Sequence, residues 1–386
     1  MKLFTFFVVN IVETLLRVFP FPCKTGLITI GNPDQKSPVF LTGNYHLTVE
    51  RVKRRLRGIN AYLLIANSKG VNVWCAAAGG LLTNHDVISV LRTSAIEELV
   101  DHRNVIMPQL AAAGVEAQII QKKTGWKVIW GPVYAKDVTR FIRNRLVKTE
   151  KMCEVEFSWK QRIEMAVAWA FPISVIGVLI MFLFWQEAIS SYILFVWGIS
   201  FLIFLSFPLY NRWLCSDSKL IGCMGFDFGR WKIQIILLIM VILGLVVYSI
   251  LVGNFGWGTF CVWSFLSLVI VLLLSIDLMG STPVYKSGLH DDRLLKIIID
   301  KDKCKGAGFC KYVCPRNCYK VDTDRHSVEM LKAHRCVQCG ACIVQCPFDA
   351  LYFKNPKGEI IFPETIRRYK LNLLGKRLVS VEGKIS

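Results

Sequence analysis

The stretch Asn-Val-Trp-Cys-Ala-Ala-Ala-Gly-Gly at residues 72–80 predicts a short helix that carries one cysteine. Asn72 is a suitable N-cap, because its side-chain oxygen can accept a hydrogen bond from an amide of the first turn. The alanines favour helix, and Gly79 or Gly80 can end it in a left-handed conformation. Cys75 then lies in the first turn, where the helix dipole favours the thiolate. A thiolate on a helix of small residues is suited to bind a flat metal cofactor; the alternative is a buried structural cysteine.

The segment around this stretch, residues 23–160, predicts an α/β domain. It contains short apolar runs typical of strands, at Ala61–Ala66, Asn104–Met107, Ala117–Gln121 and Trp126–Trp130. A helical pattern covers Asp86–Thr93, with Thr83 and Asn84 as candidate caps. This alternation favours a mainly parallel sheet, whose ligands gather at the carboxyl ends of the strands, where a loop after Ile65 arrives. Neither a G-x-G-x-x-G nor a Walker loop occurs, which argues against dinucleotide or nucleotide binding.

Long apolar runs predict an integral membrane region at residues 161–282. The four runs, near 165–185, 189–210, 233–252 and 259–279, are each long enough to cross a hydrocarbon core of about 30 Å. The formal charge of the 386-residue chain is +19, with the basic residues outside these runs. Attraction to anionic membrane lipid explains this charge, and no nucleic-acid-binding motif supports the other common explanation.

The distribution of basic residues predicts the membrane orientation. The short connections 186–190 and 253–258 contain no Lys or Arg, whereas 143–162 and 211–232 are rich in both. By the positive-inside rule, the N-terminal and C-terminal regions of this multi-pass protein lie on the cytoplasmic side of the inner membrane. Residues 1–22 predict an amphipathic helix in the membrane interface, since their polar residues fall on one helical face. The basic tail 357–386 is expected to lie on the membrane surface.

A cysteine-rich region, residues 283–356, predicts an α+β ferredoxin domain of the bacterial type. Eight of the 14 cysteines lie between Cys304 and Cys346. The second run has the spacing Cys336-x2-Cys339-x2-Cys342-x3-Cys346-Pro347. In this pattern three close cysteines hold one 4Fe-4S cluster and the fourth serves the partner cluster. Such clusters are assembled in a reducing compartment, which agrees with the cytoplasmic orientation.

The first cysteine run departs from that pattern. It reads Cys304-x5-Cys310-x3-Cys314-Pro315-x2-Cys318, so that Ala307 occupies the second ligand position. Two interpretations stay open. Either Cys304, Cys310 and Cys346 hold a 3Fe-4S centre, or Cys318 restores four ligands for a 4Fe-4S cluster. In the ferredoxin pattern Cys314 ligates the cluster of Cys336, Cys339 and Cys342.

The residues 71–77, Val-Asn-Val-Trp-Cys-Ala-Ala, closely resemble the cap-helix motif of the mercury-methylating corrinoid protein family. That family shares its corrinoid domain with the corrinoid iron–sulfur protein of the acetyl-CoA pathway. The resemblance continues through Thr42-Gly43-Asn44-Tyr45, Val100-Asp101-His102-Arg103, Pro108-Gln109-Leu110, Gly114-Val115-Glu116-Ala117 and Gly131-Pro132-Val133. In the mercury methylators the two-cluster ferredoxin is commonly a separate partner, so this chain resembles a fusion of the two.

The resemblance implies a base-off cobalamin whose lower axial ligand is the Cys75 thiolate. The cofactor-binding residues that it implies are Thr42, Asn44, Asn72, Trp74, Cys75, Ala76 and Ala77. The implied function is methyl transfer or related organocobalt chemistry, as in corrinoid-dependent methyltransferases, with the cobalt reduced again by the fused ferredoxin. An external low-potential electron donor is then required, while the sequence does not identify the methyl donor or acceptor. The alternative is a membrane-bound iron–sulfur electron-transfer protein without cobalamin.

Two departures from the family motif narrow the expected substrate. After Trp74-Cys75 the family continues Ala-Ala/Ser-Gly-Lys, whereas here the glycine is displaced and the lysine is absent. The mercury methylators' ferredoxin also carries further cysteines near its end, and this sequence has none after Cys346. We therefore expect a relative that keeps the corrinoid and cluster chemistry but acts on a substrate other than mercury.

Overall fold

The computed structural model describes residues 8–17, 19–214, 232–252, 256–278, 295–355, 357–372 and 375–378. The chain divides into two compact units. The first unit combines residues up to Glu13 with Phe19–Val155 and with the region from Leu295 onward. The second unit contains Thr14–Val18 and Glu156–Leu294. The α/β and ferredoxin regions, which are far apart in sequence, thus belong to one unit.

A five-stranded sheet with the order β1-β3-β2-β4-β5 forms the centre of the α/β region. The strands are β1 (Gly26–Ile30), β2 (Val39–Gly43), β3 (Ala61–Ala66), β4 (Asn104–Pro108) and β5 (Lys127–Gly131). The last four strands run parallel, and β1 pairs antiparallel with β3 at the edge. Both faces are covered by apolar clusters, which is why β2 and β3 are buried along their whole length. The predicted mainly parallel sheet is present.

Short helices connect these strands. They are α1 (Glu13–Leu15), α2 (His46–Arg55), α3 (Val73–Ala78), α4 (Asn84–Thr93), α5 (Ile96–Leu99), α6 (Ala117–Thr124), α7 (Val138–Arg143) and α8 (Glu150–Cys153). Two 3-10 turns add Gln109–Ala113, below called the Gln109 turn, and Ala135–Asp137. Helix α4 begins after Thr83 with a capping box to Asp86, close to the predicted position.

The predicted strand at Ala117–Gln121 is wrong, because these residues belong to helix α6. The apolar run was too short to distinguish strand from helix by length. Ile120 is buried one turn after Ala117, and Gly125 ends the helix in a left-handed conformation, φ +76°. Strands β1 and β2 were not predicted at all.

The ferredoxin region consists of small sheets and short helices, in agreement with the predicted α+β class. Its elements are β6 (Lys296–Ile299), α14 (Phe309–Val313), β7 (Tyr319–Asp322), β8 (Ser327–Met330), α15 (Ala341–Val344), β9 (Leu351–Lys354), β10 (Ile360–Ile361), α16 (Pro363–Arg368), β11 (Tyr369–Asn372) and β12 (Gly375–Leu378). Strand β10 pairs with β9, and Ile366 of α16 is buried in the ferredoxin core. This part of the fold therefore extends past residue 356, into the segment predicted as a basic tail.

The second unit consists mainly of apolar helices. These are α9 (Trp159–Phe184), α10 (Ile189–Leu205), α11 (Phe207–Leu214), α12 (Lys232–Val252) and α13 (Trp257–Leu278). Among the described residues, three helical segments are long and apolar enough to cross a membrane: Trp159–Phe184, Gln186–Leu205 and Trp257–Leu274. In α12 the apolar stretch Ile235–Leu251 is shorter. The predicted four-helix membrane region is therefore not confirmed, and three candidate spans stand in its place.

The N-terminal segment forms a π-helical turn, Val8–Val12, followed by α1. Its polar side chains contact protein groups. The buried Glu13 carboxylate contacts the His46 ring, and Arg17 Nη1 donates to Glu164 Oε2 at 2.8 Å. The predicted interfacial position of this segment stays a prediction.

Candidate functional site

Several of the motifs that the sequence pointed to lie together at the carboxyl edge of the sheet. Gly43 at the end of β2 pairs with Ala66 at the end of β3, and Pro108 of β4 pairs with Gly131 of β5. The loop after β3 leads directly into α3, the helix of Cys75. This edge is where open α/β sheets bind their ligands.

Asn44 fixes the loop that leads into α3. Its Oδ1 accepts hydrogen bonds from the Ser68 and Gly70 backbone amides at 2.8 and 3.0 Å, and its Nδ2 donates to the Cys23 carbonyl at 3.2 Å. Ser68 Oγ in turn donates to the Val71 carbonyl at 2.9 Å. Asn44 and Thr42 are both buried, so the structure gives Asn44 a positioning role. A direct contact of either residue with a cofactor stays a prediction.

Helix α3 has the predicted local structure. The Asn72 side chain accepts from the Trp74 amide at 2.9 Å, and Gly80 follows the helix with φ +73°. Ala76 and Ala77 are completely buried, whereas Cys75 is exposed and forms no disulfide. Cys75 is therefore presented outward from a helix that is anchored by its small residues.

Two glycines allow close packing around α3 and the loop that leads into it. A Cβ atom on Gly114 would lie 2.5 Å from the Ala77 carbonyl oxygen and 2.7 Å from that of Leu82. A Cβ atom on Gly43 would lie 2.5 Å from Ser68 Oγ. The glycines of two matched motifs thus allow α3 to pack tightly on the end of the sheet and on the Gln109 turn.

The ferredoxin region packs against this same part of the α/β region. Gln345, after α15, donates from Nε2 to the carbonyls of Ala112 and Val115 at 2.8 and 2.6 Å. Its Oε1 accepts from the Ala117 amide at 3.3 Å. Val313 and Ala341 are buried within the main apolar cluster of the α/β region. The two regions therefore share a continuous core.

Further polar contacts join the two regions around Gln109. Lys148 Nζ donates to Gln109 Oε1 at 2.5 Å and to the Tyr312 carbonyl at 2.9 Å, and lies 4.0 Å from the centre of the Tyr312 ring. Burial lowers the pKa of Lys148 to about 8. Arg316 Nη1 donates to the Val155 carbonyl at 2.6 Å, and Arg335 pairs with Glu154.

The eight clustered cysteines line two separate cavities. The first, which we call the Cys304 cavity, is lined by Cys304, Cys310 and Cys346, and Ala307 lies on its wall. The second, the Cys336 cavity, is lined by Cys314, Cys318, Cys336, Cys339 and Cys342. The empty volume, part of which is open to solvent, is about 350 Å³ in the Cys304 cavity and about 290 Å³ in the Cys336 cavity. Of the two positions considered for Cys318, the structure places it with Cys314 in the Cys336 cavity.

The environment of the cavities shifts the pKa of several of these thiols. Burial raises the pKa of Cys310 and of Cys339 to about 12. The Cys318 thiol donates to Cys314 Sγ, which lowers the pKa of Cys314 to about 7 and raises that of Cys318. Because metal-bound cysteines are thiolates, binding of a metal centre here would release protons.

The cavities fit clusters better than single ions. Within the described ranges, no group of three or more Cys, His, Asp or Glu side chains converges closely enough to hold one metal ion. The cysteines instead surround hollows, as a polynuclear centre requires. The second cavity supplies the four thiolates of a 4Fe-4S cluster with one to spare, whereas the first supplies three.

One matched motif lies elsewhere, and some contacts gave no signal in the sequence. His102, within a matched motif, precedes β4 and contacts the Ser37 carbonyl at 3.1 Å, at the end of the sheet opposite Cys75. Gln345 and Lys148 were missed, because their partners are remote in sequence. Gly114 was part of a matched motif, but only the folded structure shows its close approach to α3.

Comparison with known proteins identifies two regions of the chain. Residues 17–142 match the family described as CO dehydrogenase/acetyl-CoA synthase delta subunit, and residues 296–357 match the 4Fe-4S dicluster domain. The chain therefore carries a domain like that of corrinoid iron–sulfur proteins and a 4Fe-4S dicluster domain. Within the predicted resemblance, these matches support the proteins of the acetyl-CoA pathway. They do not show mercury methylation.

Individual relatives agree with the family matches. The chain is 39% identical over 116 residues to the acetyl-CoA decarbonylase/synthase complex subunit gamma of Archaeoglobus fulgidus, which covers 30% of this chain and 24% of that protein. It is 30% identical over 129 residues to the corrinoid/iron-sulfur protein large subunit of Moorella thermoacetica, which covers 33% and 28%. The chain thus spans about a quarter of the length of the curated relatives that it matches.

Proposed function

We propose that this chain is a membrane-anchored corrinoid iron–sulfur protein that takes part in methyl transfer, with its ferredoxin domain returning the cobalt to its reduced state. One observation carries the proposal. Cys75 is exposed at the ligand-binding edge of the sheet, in the same compact unit as two cysteine-lined cavities. The named relatives support corrinoid chemistry, but they are much longer proteins, so their complexes are not extended to this chain.

The residues around Cys75 fit a corrinoid. Ala76 and Ala77 are buried, and the residues that follow the exposed thiol up to Gly80 carry no side chain larger than a methyl group, which suits contact with a flat macrocycle. When bound, a corrinoid would supply a cobalt centre that accepts and donates a methyl group. Cys75 would bind the cobalt, and the cap at Asn72 would keep the thiol-bearing turn formed.

The cavities fit iron–sulfur clusters with different ligand sets. We propose a 4Fe-4S cluster in the Cys336 cavity, with Cys336, Cys339 and Cys342 as ligands and Cys314 as the fourth. For the Cys304 cavity we propose a 3Fe-4S centre on three cysteines, because Ala307 offers no thiolate and Cys318 lies in the other cavity.

Membrane anchoring is supported by the second unit. Its helices present large apolar side chains outward, among them Leu183, Phe184 and Leu251. Such surface is stable in lipid and aggregates in water. We propose that the apolar helices anchor the chain in the cytoplasmic membrane, and that the charge asymmetry of the loops keeps the α/β and ferredoxin regions in the cytoplasm.

Metal analysis of the anaerobically purified full chain tests this function. We expect cobalt equimolar with protein, together with iron, and an absorption band from cobalt–thiolate bonding. Cys75→Ala should remove that band and lower the cobalt content. Cys23→Ala, a half-buried cysteine of the same region, serves as the matched control and should change neither. Iron without cobalt in the unmodified chain would refute the proposal and favour an electron-transfer protein without cobalamin.

A further inference from the structure

We infer that one side of the α/β region, formed by α2, α7 and the turns next to them, binds the anionic lipid headgroups of the membrane that anchors the chain. We call this surface, residues 46–60 and 132–149, the basic face. The inference rests on the proposed membrane anchoring, and it adds which surface of the α/β region contacts lipid.

Helices α2 and α7 lie side by side on one side of the sheet. Val49 of α2 is buried in the same apolar cluster as Val138 and Phe141 of α7. Thr139 Oγ1 of α7 donates to the Arg55 carbonyl at the end of α2, at 3.2 Å. Helices α4 and α6 belong to the apolar cluster on the opposite side of the sheet. The two sides therefore present different sets of charged residues.

The charge of the α/β region is distributed unequally between these two sides. The basic face, residues 46–60 and 132–149, contains ten Lys or Arg residues and two acidic residues. On the opposite side, residues 84–103 and 116–124 contain four basic and five acidic residues. A protein needs no such asymmetry to be soluble, whereas attraction to a negatively charged surface depends on it. The excess of positive charge thus belongs to one surface.

The guanidinium groups of the basic face are accessible. Its exposed arginines are Arg55, Arg57, Arg140, Arg143 and Arg145. Within the described part of the chain, none of these five side chains forms an ion pair with a carboxylate. Their charge is therefore available to phosphate groups outside the protein, which arginine binds well.

The turn after α7 adds an apolar side chain to these arginines. Val147 is 61% exposed, and it follows the exposed Arg143 and Arg145 closely in sequence. Asn144 fixes the turn, since its Nδ2 donates to the Val147 carbonyl at 2.8 Å. Arginines beside an exposed apolar residue suit the boundary between headgroups and acyl chains. This combination favours a bilayer over a nucleic acid.

The chain also leaves the α/β region on this side of the sheet. Met152 of α8, the last helix of the region, is buried in the same apolar cluster as α2 and α7. Only residues 156–158 separate Val155 from α9, which is a candidate membrane span. Three residues extend about 10 Å. In a chain anchored as proposed, the covalent link to the membrane therefore starts on the side of the basic face.

Arginine labelling in two lipid compositions tests the inference on the unmodified full chain. The chain is reconstituted into nanodiscs of phosphatidylcholine alone and of an equal mixture of phosphatidylcholine and phosphatidylglycerol. Phenylglyoxal, an uncharged reagent, then modifies accessible guanidinium groups, and mass spectrometry gives the rate at each arginine. A basic side chain close to an anionic surface gains about fivefold in binding. We therefore expect Arg55, Arg140 and Arg143 to react about fivefold more slowly in the anionic nanodiscs.

The opposite side of the sheet supplies the internal control. Arg92 of α4 is exposed there and should react at the same rate in both lipids. Equal rates at the basic face in the two lipids, or equal slowing at Arg92, would overturn the inference. So would the same slowing by glycerol phosphate in neutral nanodiscs, or by an oligonucleotide where anionic lipid has no effect, because the face would then bind a different ligand.

A pair of variants tests whether the charge of the basic face is the cause. Arg140→Gln combined with Arg143→Gln should raise the labelling rate of Arg55 in anionic nanodiscs toward its value in neutral ones. Lys122→Gln combined with Lys123→Gln removes two exposed charges from α6, on the opposite side, and should leave the Arg55 rate unchanged. Equal effects of the two double variants would contradict the inference.

Membrane anchoring is measured separately in the same preparation. A chain that does not insert into either kind of nanodisc would refute the proposed anchoring. Sedimentation of that chain with vesicles of the same two compositions would still test the basic face. Binding to the anionic vesicles alone would support the face, and equal binding to both would overturn it.

Discussion

Replacement of Gln345 by methionine should weaken the contact between the ferredoxin and α/β regions. Methionine has a similar length and no hydrogen-bonding amide, so the change removes donors without opening a large cavity. Gln345 is 6% exposed, and its Nε2 donates to two carbonyls whose residues, Ala112 and Val115, are fully buried. The substitution therefore leaves two carbonyl oxygens without the partner that the side chain supplied.

The magnitude follows from those two oxygens. A buried polar group that loses its partner costs about 1–3 kcal/mol. The third bond, from the Ala117 amide, is long at 3.3 Å and adds little. Allowing for partial relaxation, we expect the free energy of separating the two regions to fall by about 3 kcal/mol, or roughly 150-fold in the opening equilibrium.

Hydrogen exchange measured by mass spectrometry can detect this change in the full chain. Peptides that cover residues 109–117 and 341–345 should exchange faster by about two orders of magnitude, as the opening equilibrium predicts. Gln121→Met is the matched control, because Gln121 is exposed on α6, and it should change the protection of these peptides very little. A change at Gln345 no larger than that of the control would refute the reasoning.

Four further predictions concern the site and its supports. Gly114→Ala should destabilise the first unit by about 1–3 kcal/mol in chemical denaturation. The added Cβ would meet the Ala77 carbonyl oxygen, a backbone atom that cannot easily move away. Asn72→Ala should destabilise α3 by about 1 kcal/mol, measured as faster exchange of its first-turn amides, with Asn72→Ser restoring most of the protection. The pKa of Lys148 is lowered from 10.5 to about 8, so the unfolded chain binds more protons than the folded chain between these values. Stability should therefore rise with pH across that window, and Lys148→Met should remove this contribution. Ala307→Cys should convert the electron paramagnetic resonance (EPR) signal of a three-iron centre into that of a four-iron cluster.

Each of these predictions has a control or a contrary outcome. Gly125→Ala introduces a Cβ that meets no atom within 4 Å, so it should show only the cost of a left-handed backbone, about 1–2 kcal/mol. Unchanged protection in Asn72→Ala would show that the cap does not stabilise α3. Equal pH dependence in the Lys148→Met variant and the unmodified chain would mean that another group titrates. An unchanged cluster signal in Ala307→Cys would contradict the three-cysteine assignment.

The sequence predicted those features whose causes are local. The capped helix of Cys75 follows from Asn72, the alanines and the glycine pair, all within nine residues. The strand β3 and the helix α4 were likewise marked by an apolar run and a capping box. Failure occurred where local signals were ambiguous: Ala117–Gln121 is apolar enough for a strand, but its packing against the sheet makes it a helix.

The remaining features depend on contacts between distant parts of the chain. Spacing alone left two positions for Cys318, and only the folded ferredoxin region places it with Cys314. Gln345 contacts residues more than two hundred positions earlier, for which no pattern in one sequence gives a signal. The number of membrane crossings was predicted from the lengths of the apolar runs. The apolar stretch of α12 is shorter than the three candidate spans.

The shared core of the α/β and ferredoxin regions constrains the membrane segment by parity. The chain leaves this body after Val155 and returns to it at Leu295. A chain that departs from one face of a bilayer and comes back to the same face crosses it an even number of times. If the chain is anchored as proposed, three crossings are incompatible with the shared core: either α12 crosses as a fourth helix, or one candidate span stays on one side. In a chain anchored as proposed, the ferredoxin region would complete its contact with the α/β region only after the last crossing had been made, so insertion would precede assembly of the shared core.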